Sequence, residues 1–107
     1  MTSKNHPYTV GLWTVKPGKE KAFIAEWVAF AQWTSKNQPG AQTGYLLQDA
    51  KHPEQFISFG PWESEEAYNN WRERPEFKAF GLKVRDLCTE FQPRSLAVVG
   101  SSEETRD

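Results

Sequence analysis

The chain has 107 residues, with 13 Lys and Arg against 14 Asp and Glu and a formal net charge of −1. That length gives one domain, and the near-zero, unclustered charge excludes the basic footprint of a nucleic-acid or membrane-surface binder. Hydrophobic content is only 37% while aromatics reach 14%, so a core has to be built from few but large groups, each removing roughly 150–250 Å² from water. A lone cysteine, Cys88, leaves no intrachain disulfide framework and is the usage expected of a reducing compartment. The opening MTSKNHP has no apolar signal core and no run reaches membrane-span length, so the expected location is cytoplasmic.

Residues 1–7 are polar, end in Pro7 and read as a disordered lead-in. Tyr8 to Val15 (YTVGLWTV) is β-branched and aromatic, the composition of a strand. Tyr8, Val10 and Leu12 fall on one side of it, Trp13 and Val15 on the other. A strand apolar on both sides is covered on both. Pro17-Gly18 turns the chain into a helix from Lys19 to about Lys36, with Phe23, Trp27, Phe30 and Thr34 on one face. Asn37-Gln38-Pro39-Gly40 ends it.

Thr43 to Asp49 and Gln55 to Trp62 form a hairpin across the five residues Ala50 to Glu54. Phe56 and Trp62 share one parity, Ile57 and Phe59 the other. Ser64 is an N-cap with Glu65 and Glu66 in the first turn, where the helix dipole favours negative charge. That helix runs to Arg74 and restarts at Pro75, the first-turn position proline tolerates. Its apolar stripe is Phe77, Phe80, Val84, Leu87 and Phe91, with Cys88 alongside as an inert packed thiol. Ser95 to Val99 reads as the last strand, and residues 101–107 as a disordered tail after a folded domain over 8–100.

The order β-α-β-β-α-β predicts an α+β, ferredoxin-like fold: a four-stranded antiparallel sheet with its helices on one face. The second apolar set on the strands then needs another cover. A second copy of the same sheet across a twofold axis supplies it, so the expected assembly is a homodimer.

Chemistry concentrates between Phe56 and Trp71 (FISFGPWESEEAYNNW), where aromatic and amide groups crowd a strand-to-helix junction. Trp62, Tyr68, Asn70 and Trp71 are the candidate substrate-binding residues. Trp62, Tyr68 and Asn70 are also the catalytic candidates, and Asn69 competes with Asn70 for the inward position because consecutive residues cannot share a helix face. Arg72 and Arg85 could pair with an anionic substrate, although a solvated helix face accounts for them as well. Trp13, Trp27 and Trp33 read as core or subunit interface, and His52 as an exposed loop residue. No metal-ligand spacing, phosphate loop or nucleophile-base-acid set is visible.

The motifs in order are Val15-Lys16-Pro17-Gly18 before a long helix and Gln38-Pro39-Gly40 before the hairpin. Phe56-Ile57-Ser58-Phe59 follows, then Trp62-Glu63-Ser64 opening the second helix, and Pro75-Glu76-Phe77. Over Tyr8 to Val99 this set resembles the antibiotic biosynthesis monooxygenase domain family of dimeric α+β barrels. The resemblance implies a cofactor-independent monooxygenase acting on an aromatic phenol or quinol, with no cofactor. A non-catalytic barrel that binds a small aromatic or hydrophobic molecule is the alternative. The family's quinol-oxygenase branch places a Trp at the end of the third strand and a Tyr six residues later, matched by Trp62 and Tyr68. It also places an asparagine before that Trp, where this chain departs with Ser58. The haem-degrading branch carries a tryptophan at the position of Trp71, but its first-strand asparagine falls at about Gly11 and its haem-ligating histidine at Gly81. Without that imidazole the branch lacks its ligand.

Overall fold

The computed structural model describes residues 6–103. Seven elements follow in chain order: β1 (Pro7–Val15), α1 (Glu20–Asn37), β2 (Tyr45–Gln48), β3 (Gln55–Pro61), α2 (Glu65–Arg72), α3 (Pro75–Arg85) and β4 (Cys88–Ala97). The strands make one antiparallel sheet in the order β2-β3-β1-β4. This is the ferredoxin-like βαββαβ arrangement that the element order predicts.

β1 lies between β3 and β4, and its alternation sorts the molecule into two sides. Trp13 and Val15 point toward the helices and join Phe23 of α1, Phe56 of β3 and Val84 of α3 in the core. The intervening residues face the other way, with Leu12 opposite Ile57, Val10 opposite Phe59 and Tyr8 opposite Pro61. Tyr45, Leu47, Ile57 and Leu96 on that far side are each about half exposed (54, 52, 45 and 50%). The second apolar set therefore lies uncovered on the sheet face that carries no helix.

Local chemistry fixes the joints. The Gln38 amide donates to the Thr34 carbonyl at 2.9 Å and closes α1. Gly40 follows with φ +87°, and a Cβ there would sit 2.6 Å from the Ala67 Cβ on α2. Backbone conformation and space both demand glycine. The Ser64 hydroxyl accepts from the Ala67 amide at 3.1 Å, the expected cap on α2. At the end of α2, Arg74 adopts an extended conformation (φ −70°, ψ 142°) and Pro75 begins α3, as a residue preceding proline is driven to do. In the β2–β3 loop the Asp49 carboxylate accepts from the Lys51 and His52 amides at 2.8 and 2.9 Å. Those two backbone hydrogen bonds hold its carboxyl below the usual aspartate range.

One expectation is corrected. The helical stripe through Val84, Leu87 and Phe91 does not continue as helix: α3 stops at Arg85, and β4 runs from Cys88 to Ala97 rather than over Ser95–Val99. The free edge of β1 decides this, because its backbone groups need partners and β4 supplies them from Cys88 onward. Phe91 still meets the core by a different route, half-exposed but paired with Trp13 across the two strands and stacked on it at 4.1 Å. Of the lead-in expected over residues 1–7, residues 1–5 lie outside the described residues, and Pro7 is the first residue of β1. Of the expected tail, residues 104–107 lie outside them too. No helix among the described residues is long and apolar enough to cross a membrane.

Candidate functional site

The β3–α2 junction is held by three indole or amide hydrogen bonds. The Trp62 amide donates to the Pro7 carbonyl at 2.9 Å, and its indole Nε1 donates to the Thr9 hydroxyl at 3.0 Å. One helical turn past Ala67, the Trp71 indole donates to the Thr34 hydroxyl of α1 at 3.0 Å. Each large ring thus has its single polar atom satisfied, which is what permits burying it. Tyr68 is buried too, edge-on to Trp62 at 6.3 Å, and the Arg72 guanidinium lies over its ring at 4.8 Å.

Beside this junction, α2 and α3 stand off from the β1–β4 pair and leave a cavity of about 770 Å³. Its floor is Thr9, Gly11 and Trp13 of β1 with Phe91 and Ser95 of β4. Its roof is Trp71 and Arg72 of α2 with Phe77, Phe80 and Gly81 of α3. The aromatic lining is tied together from behind by Phe30 of α1, which stands outside it. Trp71 meets Phe77 edge-on at 4.7 Å and Phe30 stacked at 5.6 Å. Phe30 stacks on Phe80 at 4.4 Å, and Phe80 meets Trp13 at 6.2 Å. Such a wall offers flat apolar surface on which a planar ring can lie.

Two glycines line the middle of the cavity, to opposite effect. At Gly11 a Cβ would come within 2.7 Å of Trp13 Nε1 and 2.8 Å of Ser58 Oγ. The space is taken by the Trp13 indole, which donates across the strands to the Ser58 hydroxyl at 2.9 Å. Ser58, standing where the resemblance implies an asparagine, therefore anchors the cavity floor. At Gly81, by contrast, a Cβ would have nothing within 4 Å. The roof is simply missing a side chain there.

The charged groups are few and mostly cationic. Arg72, Arg85 and Arg94 line the cavity against one carboxylate, Glu90. No His, Asp, Lys or Tyr is among the lining residues. Cys88 lines it half-buried, and burial raises its thiol above the ordinary range, an effect that nearby Lys16 only partly opposes. The thiol stays protonated at neutral pH and is a poor nucleophile.

The four candidate residues are therefore not equivalent in position. Trp71 lines the cavity. Trp62 lies directly behind it with ring centroids 4.9 Å apart, and Tyr68 lies behind Trp62. Asn70, like Asn69, is exposed and outside the cavity lining. Sequence reasoning passed over Trp13, Phe80 and Phe91, whose spacing reads as ordinary core, and took Gly81 only as the place of a missing imidazole. The available signal was the pair Gly11 and Gly81, two residues without side chains on elements that otherwise carry large ones.

The sequence profile described as "Antibiotic biosynthesis monooxygenase" matches residues 8–81. No curated protein matches the chain in sequence. Among solved structures, SnoaB, a cofactor-independent oxygenase from Streptomyces nogalater, is similar at 19% identity and a TM-score of 0.85, covering 95% of this chain and 100% of that one. A protein of Shewanella oneidensis has 15% identity, a TM-score of 0.79 and coverage of 90% and 93%. A protein of Mycobacterium tuberculosis has 18% identity, a TM-score of 0.78 and coverage of 91% and 98%. At these identities the structures establish a shared fold, and the profile establishes the family. The chain belongs to the antibiotic biosynthesis monooxygenase family.

Proposed function

We propose that the protein is a cofactor-independent monooxygenase that oxidises an aromatic phenol or quinol in the cavity between α2, α3 and the β1–β4 pair. The observation that carries this reading is the aromatic cavity of about 770 Å³ in a member of this family. An electron-rich phenolate can pass an electron to dioxygen directly. Oxidation of a phenol to a quinone then consumes one O₂, placing one oxygen in the product and releasing the other as water. The protein's part is to hold the ring, favour its anion and exclude bulk water. Trp71, Phe77 and Phe91, which line the cavity, would wall the ring, while Trp62 packs on Trp71 from behind. The relatedness of SnoaB, described as a cofactor-independent oxygenase, supports the same chemistry.

Oxygen uptake with a panel of naphthols and hydroquinones, on protein dialysed against chelator, tests it. Saturable uptake above the uncatalysed rate is expected, falling at least about tenfold in Trp71→Ala, in line with the cost of misplacing a bound ring. A second reading, a non-catalytic binder of a small hydrophobic molecule, is favoured by the lack of any His or Asp base in the lining. Saturable quenching of tryptophan fluorescence without oxygen uptake by any of the panel would decide for the binder.

We extend the proposal to assembly. The uncovered sheet face with Tyr45, Leu47, Ile57 and Leu96 is the surface on which a second copy packs, making a homodimer with its sheets face to face.

A further inference from the structure

The geometry points to Arg72 as the anchor for an anionic substituent, a carboxylate on the aromatic ring that occupies the cavity. This deepens the reading of the cavity as an aromatic-binding site and rests on it.

Three arginines line the cavity, and their surroundings separate them. Arg94 is exposed, and two of its donors go to Gln92 Oε1 at 2.8 Å and the Pro93 carbonyl at 3.3 Å. Arg85 is exposed in the last turn of α3. Arg72 alone of the three is half-buried. It is fixed from two sides: its Nη2 donates to the Ser95 hydroxyl at 3.3 Å, and its guanidinium lies over the Tyr68 ring at 4.8 Å. A guanidinium carries five N–H donors in a rigid fork suited to a carboxylate. Among the described residues the only hydrogen bond the Arg72 guanidinium donates is the one to Ser95, and no Asp or Glu pairs with it. Carboxylates are available elsewhere on the molecule, where Arg74 pairs with Glu76 and Lys83 with Glu26. Arg72 instead presents an oriented cation, without a carboxylate partner of its own, to the aromatic cavity.

The position along the cavity completes the case. Ser95 lies opposite Thr9 in the β1–β4 register, and Trp13 lies opposite Phe91 four residues further along β1. The Thr9–Ser95 end is polar, with Arg72 on Ser95 and Trp62 on Thr9. The Trp13–Phe91 end is a stacked aromatic pair. Four residues of strand span roughly 13 Å, which is the scale of a fused two-ring system with a substituent. A carboxylate on Arg72 therefore sets which end of the molecule points toward the Trp13–Phe91 pair, and selects hydroxylated aromatic acids over their neutral counterparts.

The test compares 1-hydroxy-2-naphthoate with its methyl ester by tryptophan-fluorescence titration, independently of turnover. Wild-type protein is expected to bind the acid at least about tenfold more tightly than the ester, as a charge-assisted bidentate pair supplies. In Arg72→Gln the preference should vanish while ester affinity stays within about twofold, with Arg72→Lys recovering part of it. Arg94→Gln and Arg85→Gln should keep it, and unchanged thermal unfolding of Arg72→Gln shows that the fold is intact. Equal affinity for acid and ester in wild type, binding of neither, or a preference that survives Arg72→Gln or is lost instead in Arg85→Gln would each overturn the assignment. Oxygen uptake with neutral naphthols but no acid preference would sink the anchor and leave the oxygenase reading standing. Acid preference without uptake would do the reverse.

Discussion

Ser58 shows how one small polar side chain sets the shape of the cavity floor. It is buried on the helix side of β3, opposite Gly11, and accepts the indole N–H of Trp13 at 2.9 Å. Removing the hydroxyl would strand a buried donor, for which the penalty is about 1–3 kcal/mol. Ser58→Ala is therefore expected to lower stability by that amount in urea unfolding, and to loosen the Trp13 ring so that its emission shifts to the red. A transition midpoint equal to wild type would show that the hydrogen bond carries no weight. Gly81 makes the opposite case. It sits inside α3, where glycine costs about 1 kcal/mol relative to alanine, and a Cβ there meets nothing within 4 Å. Gly81→Ala should raise stability by up to about 1 kcal/mol, while Gly81→Leu, filling the roof, should weaken ligand binding at least about tenfold at undiminished stability. Leucine that leaves affinity unchanged would place the ligand elsewhere.

At the scale of elements, what could be read in advance depended on whether a segment's neighbours were local. α1 was legible because Phe23, Trp27, Phe30 and Thr34 repeat at helical spacing and Pro17-Gly18 and Pro39-Gly40 bracket them. The break before Pro75 was legible for the same reason, since proline acts on the residue beside it. β4 was not. Val84, Leu87 and Phe91 keep helical spacing, and only the unpaired edge of β1, more than seventy residues earlier, turns the segment from Cys88 onward into strand. The cavity followed the same divide. Trp71 was found because Trp62, Tyr68 and Trp71 crowd one short stretch, whereas Phe80 and Phe91 reach it only through the packing of α3 and β4 across the sheet. Asn70 illustrates the limit of local density: it belongs to the crowded stretch, yet the helix turns it outward.

For the whole molecule the alternation of β1 matters most. Its helix-side residues, Thr9, Gly11 and Trp13, floor the cavity, and the residues between them, Val10 and Leu12, lie on the open side of the sheet beside Phe59 and Ile57. A charge at the centre of that open face should block the proposed pairing of subunits. Ile57→Lys is expected to sediment as a monomer at concentrations where wild type is dimeric, and a monomeric wild type at micromolar concentration would sink the proposal. Adjacent residues of one strand would then serve two ligands, a ring on one side and a subunit on the other. Thermodynamic linkage makes any such dependence mutual: whatever factor the ring adds to subunit affinity, the subunit adds to ring affinity. If the ring strengthens pairing, diluting the protein through its dimer dissociation range weakens ring binding by the same factor, and a backbone pleat only one residue deep becomes a concentration sensor.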